Sequence, residues 1–68
     1  MIDNNVMREY GWISCAEKMP NTNELVHVFM NYENYTNSTK DVYTDRMRWS
    51  KNYDYQPTHW KPVYNMRR

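Results

Sequence analysis

The chain has 68 residues, one cysteine and a formal net charge of +1. That length bounds it to one small domain with a thin core, and the lone Cys15 excludes an internal disulfide. Nine Lys and Arg against eight Asp and Glu exclude the acidic surface of a DNA mimic and give little of the basic excess typical of nucleic-acid binders.

No apolar run approaches the roughly 18 residues of a membrane span. Met1–Asn5 has neither the basic start nor the apolar stretch of a signal peptide. With one cysteine, this sets the expected location as the cytoplasm, with no membrane partner.

In chain order, residues 1–9 allow two readings. Ile2, Val6 and Tyr10 fall at helical spacing behind a capping Asp3, yet a flexible arm fits equally well. Trp12-Ile13 reads as a short strand. Ser14-Cys15-Ala16-Glu17 fits a capping box, in which Ser14 Oγ accepts from the Glu17 amide and the Glu17 carboxylate reaches back to the Ser14 amide. That starts a single helical turn over Cys15–Lys18, which Pro20 stops. Asn21-Thr22-Asn23 is a turn.

Glu24–Asn31 is the clearest strand. Val26, Val28 and Met30 point to one face, and Leu25, His27 and Phe29 to the other. Both sets are largely apolar, which predicts a central strand. Asn31–Lys40 is polar and Asn-rich and reads as an exposed loop. Asp41–Trp49 reads as the next strand, with Tyr43, Met47 and Trp49 on one face and Thr44, Arg46 and Arg48 on the solvated one. Asp45, on the apolar side of that pattern, calls for a cross-strand cation or a bulge. Ser50–Pro57 is a Tyr-rich connection, and Thr58–Trp60 is a last short strand ended by Pro62. Val63–Arg68 is a basic tail. With one glycine in the chain, Asn and Asp are expected to supply most positive-φ positions.

Two motifs frame these elements: Trp12-Ile13-Ser14 with Met19-Pro20, and Thr58-His59-Trp60-Lys61-Pro62. Together with the apolar strand they resemble a family of short phage and prophage proteins, the domain of unknown function five-five-one. Its pattern runs Trp-Ile-Ser, Leu-Pro, a Val-rich strand and His-Trp-x-Pro. The resemblance spans roughly Trp12 to Pro62. The chain departs from it at Cys15 (Val is usual), Met19 (Leu), Lys61 (often Met) and Val63-Tyr64 (Leu-Pro), and it lacks the glycines of the family's middle hairpin. The resemblance implies a small β-rich domain of phage or prophage origin and supplies no activity.

His59 carries a near-neutral pKa suited to acid–base work, but a structural role is favoured, with its ring bonded to backbone near Trp12. Trp12, Ser14, Glu17, Pro20, His59, Trp60 and Pro62 then act as a clasp between neighbouring strands, the two Trp filling the core. Cys15, His27 and His59 lack metal-ligand spacing, so neither a metal nor a cofactor is expected. Cys15 is favoured as a packing residue over a nucleophile. No catalytic carboxylate pair or phosphate-cradling loop is legible.

The remaining candidate is a surface. Arg46, Arg48 and Lys51 run beside Trp49, Tyr53 and Tyr55, residue types enriched at interface hot spots. The expected fold is therefore mostly β: an antiparallel sheet of four or five short strands, with one short helical turn near Cys15–Lys18. The expected function is that of a non-enzymatic phage accessory protein that binds a host or phage protein, and modulates or inhibits it, through this aromatic and Arg surface. The alternatives are weak binding of single-stranded nucleic acid by Trp49, Tyr53 and Tyr55, and a structural homo-oligomer.

Overall fold

The structure, a computed structural model, describes Met1–Val63. Most of the basic tail, Tyr64–Arg68, lies outside the described residues. One helix, α1 (Asn4–Glu9), precedes strands β1 (Ile13–Ser14), β2 (Leu25–Tyr32), β3 (Tyr35–Val42) and β4 (His59–Pro62). The strands form one antiparallel sheet in the order β1-β4-β2-β3. The mostly β class read from the sequence holds, with β2 central. No helix among the described residues is long and apolar enough to cross a membrane.

Within residues 1–9, Asn4–Glu9 is helical rather than a loose arm because both ends of α1 are capped. Asp3 Oδ1 accepts from the Asn5 amide at 2.7 Å. At the other end the Gly11 amide donates to Arg8 O and the Trp12 amide to Met7 O, each at 3.0 Å, the paired bonds of a Schellman motif. Gly11, the chain's one glycine, takes the positive φ (90°) that this motif requires. Met7 is buried beneath the helix.

The turn after β1 forms where Ser14 predicts it. The Glu17 and Lys18 amides both donate to the Ser14 carbonyl at 3.0 Å. The capping box itself does not form. Ser14 Oγ accepts from the Ala16 amide at 3.2 Å, and the Glu17 carboxylate turns to Arg8 at 3.3 Å. That ion pair is exposed on both sides, so it adds little stability.

Two sequence expectations fail in the middle of the chain. Most of Asn31–Lys40, read as a loop, is strand: Asn31 and Tyr32 end β2, and residues 35–40 belong to β3, joined to β2 through the two-residue connection Glu33-Asn34. The outer strand needs only backbone pairing to β2, so its side chains carry no apolar alternation; those of Tyr35–Ser38 are exposed. Asp41–Trp49, conversely, is not one strand. After Val42 the chain turns through 44–48 and returns, leaving a single bridge between Tyr43 and Trp49. Tyr43 and Trp49 are both 8% exposed, while Met47 is 71% exposed, so the three do not share a face. Asp45 stands exposed in this turn. Among the described residues, the positive-φ positions besides Gly11 are Asn23 and Met47; Asn and Asp supply only one of them.

Register sorts side chains onto two faces. Val26, Val28 and Met30 pack with Trp60, Tyr43 and Trp49 in the core, flanked by Ile13, Cys15, Met19, Tyr32 and Tyr53. The returning segment 43–57 covers this face and also closes part of the β3 edge. The Ser50 amide donates to Val42 O at 3.0 Å, and Lys51 Nζ donates to Lys40 O at 2.8 Å, satisfying edge carbonyls that would otherwise template another strand.

Candidate functional site

The two end motifs meet as adjacent strands. Ile13 pairs with Trp60 and Ser14 with His59, so the clasp between neighbouring strands forms as the sequence predicts. Trp60 is buried, and its indole Nε1–H donates to Lys18 O at 2.7 Å. Pro20 is buried, and Pro62 is the last residue of β4. Trp12 does not join the core. It is half-buried against Phe29, ring centroids 5.3 Å apart, with the Lys61 ammonium 4.5 Å from its ring centroid.

His59 is buried, and its partners are side chains rather than backbone near Trp12. Nδ1 lies 2.8 Å from Thr58 Oγ1 and Nε2 lies 3.2 Å from Asn4 Oδ1. In a neutral ring with Nε2–H donating to Asn4 Oδ1, Nδ1 is an acceptor, and the one Thr58 hydroxyl hydrogen lies within reach of both Nδ1 and the Phe29 carbonyl. Burial lowers the His59 pKa, partly countered by Glu17, which favours this neutral ring. His59 thereby ties α1 to β4, and it borders a cleft of about 360 Å³ lined also by Asn4, Cys15 and Thr58. Burial pushes the Cys15 thiol up to about 11, so at neutral pH the sulfur is a thiol that packs rather than a thiolate that attacks.

The six surface residues predicted to bind a partner do not form one surface. Trp49 is core. Tyr53 packs against the core, and its hydroxyl donates to Asp41 at 2.6 Å. Lys51 Nζ is turned onto β3, bonded to Thr39 and Lys40. Tyr55 stacks on Tyr35, centroids 4.9 Å apart and planes at 19°. Arg46 and Arg48 remain exposed. The nucleic-acid alternative built on Trp49, Tyr53 and Tyr55 loses its stacking platform for the same reason.

Asp41 organises this segment, and no sequence signal pointed to it. Its carboxylate is buried and accepts from four donors: the Val42 and Lys51 amides at 2.6 and 3.1 Å, the Tyr53 hydroxyl, and Ser50 Oγ. Burial acts to raise the Asp41 pKa, but the bonds from Ser50, Tyr53, Val42 and Lys51 outweigh it, and the net shift is downward. Burial and the neighbouring carboxylate together push the Tyr53 phenol up. Asp41 therefore pins residues 50–53 beside β3.

Between these anchors the chain projects the tip Arg46-Met47-Arg48. Thr44 N donates to Arg48 O at 2.8 Å, Met47 N to Thr44 O at 3.0 Å, and Thr44 Oγ1 to Arg48 O at 2.8 Å. At the base the Tyr43 and Trp49 rings meet edge to face at 5.1 Å. Met47 holds φ 65° with its side chain exposed. For an L-residue with a long side chain that geometry costs about 1–2 kcal/mol.

The sheet face opposite the core is only partly covered by α1. On it His27 lies in register between Lys40 of β3 and Lys61 of β4. Burial first, then the charges of Lys40 and Lys61, lower the His27 pKa. Reading 31–40 as a loop left Lys40 without a register, so this row was not legible in the sequence. Among the described residues no group of three His, Cys, Asp or Glu stands together as a metal cluster.

These features define a small antiparallel β-domain whose polar hubs, Asp41 and His59, are both consumed by structural bonds. The chain matches the family described as protein of unknown function (DUF551) over residues 11–65 and belongs to that family. No curated protein and no solved structure matches it.

Proposed function

We infer that the chain is a non-enzymatic accessory protein that docks onto another protein through the Arg46-Met47-Arg48 tip. The phage or prophage setting implied by the family resemblance, with modulation or inhibition of a host or phage protein, belongs to this reading. The observation that carries it is Met47, held at φ 65° and 71% exposed on a turn tied by four hydrogen bonds. Backbone strain of this kind persists where surrounding structure over-determines it and clusters at functional positions. Met and Arg are enriched at interfaces, and a preorganised tip loses little conformational entropy on binding. The complementary partner is a protein with an apolar pocket rimmed by carboxylates. A structural role for His59 and Cys15 supports a non-enzymatic reading.

Met47→Gly separates function from folding. Glycine relieves the positive φ but is more flexible when unfolded, so stability should stay level or rise by up to about 1 kcal/mol. Partner capture should nevertheless fall. Pull-down from a lysate of the host cell should recover a stoichiometric partner with the parent chain, and lose it with Met47→Gly and with Arg46→Ala/Arg48→Ala. Equal recovery by all three, or no stoichiometric partner, would remove this reading.

A further inference from the structure

We propose that the open sheet face, centred on the Lys40–His27–Lys61 row and bordered by Phe29 and Trp12, binds single-stranded nucleic acid. This site is separate from the Arg46-Met47-Arg48 tip and stands whether or not the tip docks a protein.

The argument starts from register. His27 is the direct cross-strand partner of both Lys40 and Lys61, and directly paired residues project from the same face. With strands ~4.8 Å apart, the two lysines are based ~10 Å apart across three strands. The next row toward the hairpin is Ser38, Phe29 and His59, and the row on the other side holds Val42 and Leu25. No carboxylate occupies any of these positions. Burial first, and then the charges of both lysines, lower the His27 pKa, in keeping with that geometry.

Cations here alternate with π-faces. Phe29 and Trp12 are each half-buried and lie against one another, and Lys61 sits over Trp12 with its Nζ also donating to Tyr10 O at 3.2 Å, a contact a phosphate would have to share or displace. Leu25, 48% exposed, extends the apolar ground beside His27. Single-stranded nucleic acid uses both components, since phosphates meet ammonium groups while bases stack on rings. An acidic peptide would use the lysines and leave the rings unpaired, so the interleaving favours nucleic acid. Two lysines set the scale at weak, salt-sensitive binding.

The test is fluorescence anisotropy of a labelled oligo-dT with the full chain. With two phosphate contacts, the slope of log affinity against log salt should be about −1.4, or about a sevenfold loss between 50 and 200 mM salt. Lys40→Gln should halve that slope to about −0.7. Because Trp49 and Trp60 are buried, any quenching of tryptophan fluorescence on binding should come from Trp12 and vanish in Trp12→Phe. Thermal melts followed by circular dichroism establish that both variants are folded. Arg46→Ala/Arg48→Ala should bind the oligonucleotide as the parent does. The proposal is overturned by absent saturable binding at 50 mM salt, by an unchanged slope in Lys40→Gln, or by binding lost in the Arg46/Arg48 variant. Polyglutamate binding as tight as oligo-dT would also overturn it, by assigning the face to an acidic protein segment.

Discussion

The two faces of the sheet use similar residue types to opposite ends. On the covered face a carboxylate, a phenol, a serine and a lysine amide close on one another, and every polar group is absorbed in holding residues 50–53 against β3. On the open face a histidine and two lysines stand in register with no carboxylate in the row. A polar cluster marks function only when its groups are not already spent on each other. By that criterion Asp41 and His59 are architecture; in the lysine row Lys61 is already engaged with the Tyr10 carbonyl and the Trp12 ring, and Lys40 is the exposed cation.

The sharpest break of this comparison is Asp41→Ala. It leaves several buried donors without their acceptor, and the expected loss is about 3 kcal/mol or more. For a domain of this size that is a drop of roughly 12–24 °C in Tm, read by thermal unfolding. A smaller, paired test uses neighbours on β2. Val26 is 1% exposed and Leu25 is 48% exposed. Val26→Thr buries a hydroxyl and should cost about 1–3 kcal/mol, whereas Leu25→Thr should stay within about 0.5 kcal/mol. Equal urea midpoint shifts would mean that the two faces are not differently covered.

The mildest test is pH. His27 and His59 both have pKa values below the ordinary 6.5. Between the folded and unfolded values the unfolded chain binds more protons, so acid favours unfolding. Stability should be level above about pH 6.5 and fall as pH drops through the folded histidine values. Asp41 is also depressed, from 3.8, so its contribution is present above that pH and lost as pH falls further. Urea midpoints across this range should show two successive declines, the second absent in a folded Asp41→Asn variant.

The sequence alone determined what depends on local pattern or close spacing. The β2 alternation and the Ser14 turn were legible because apolar period and turn chemistry act over a few residues; the pairing of Trp12-Ile13-Ser14 with His59-Trp60, though distant in sequence, was legible because two Trp motifs frame a small chain with a thin core to fill. The Arg and Trp cluster from Arg46 to Tyr55 misled, because proximity along the chain does not give a common face once 44–48 reverses direction. Tertiary structure alone decided the rest. β3 is a strand because β2 offers it backbone partners, and its own side chains need no apolar face. Asn4 matters because His59 reaches it from 55 positions away. Asp41 is buried because donors 9 to 12 residues ahead converge on it. The Lys40–His27–Lys61 row exists only when three strands lie side by side. Each of these rests on contacts distant in sequence, whose partners no local pattern names.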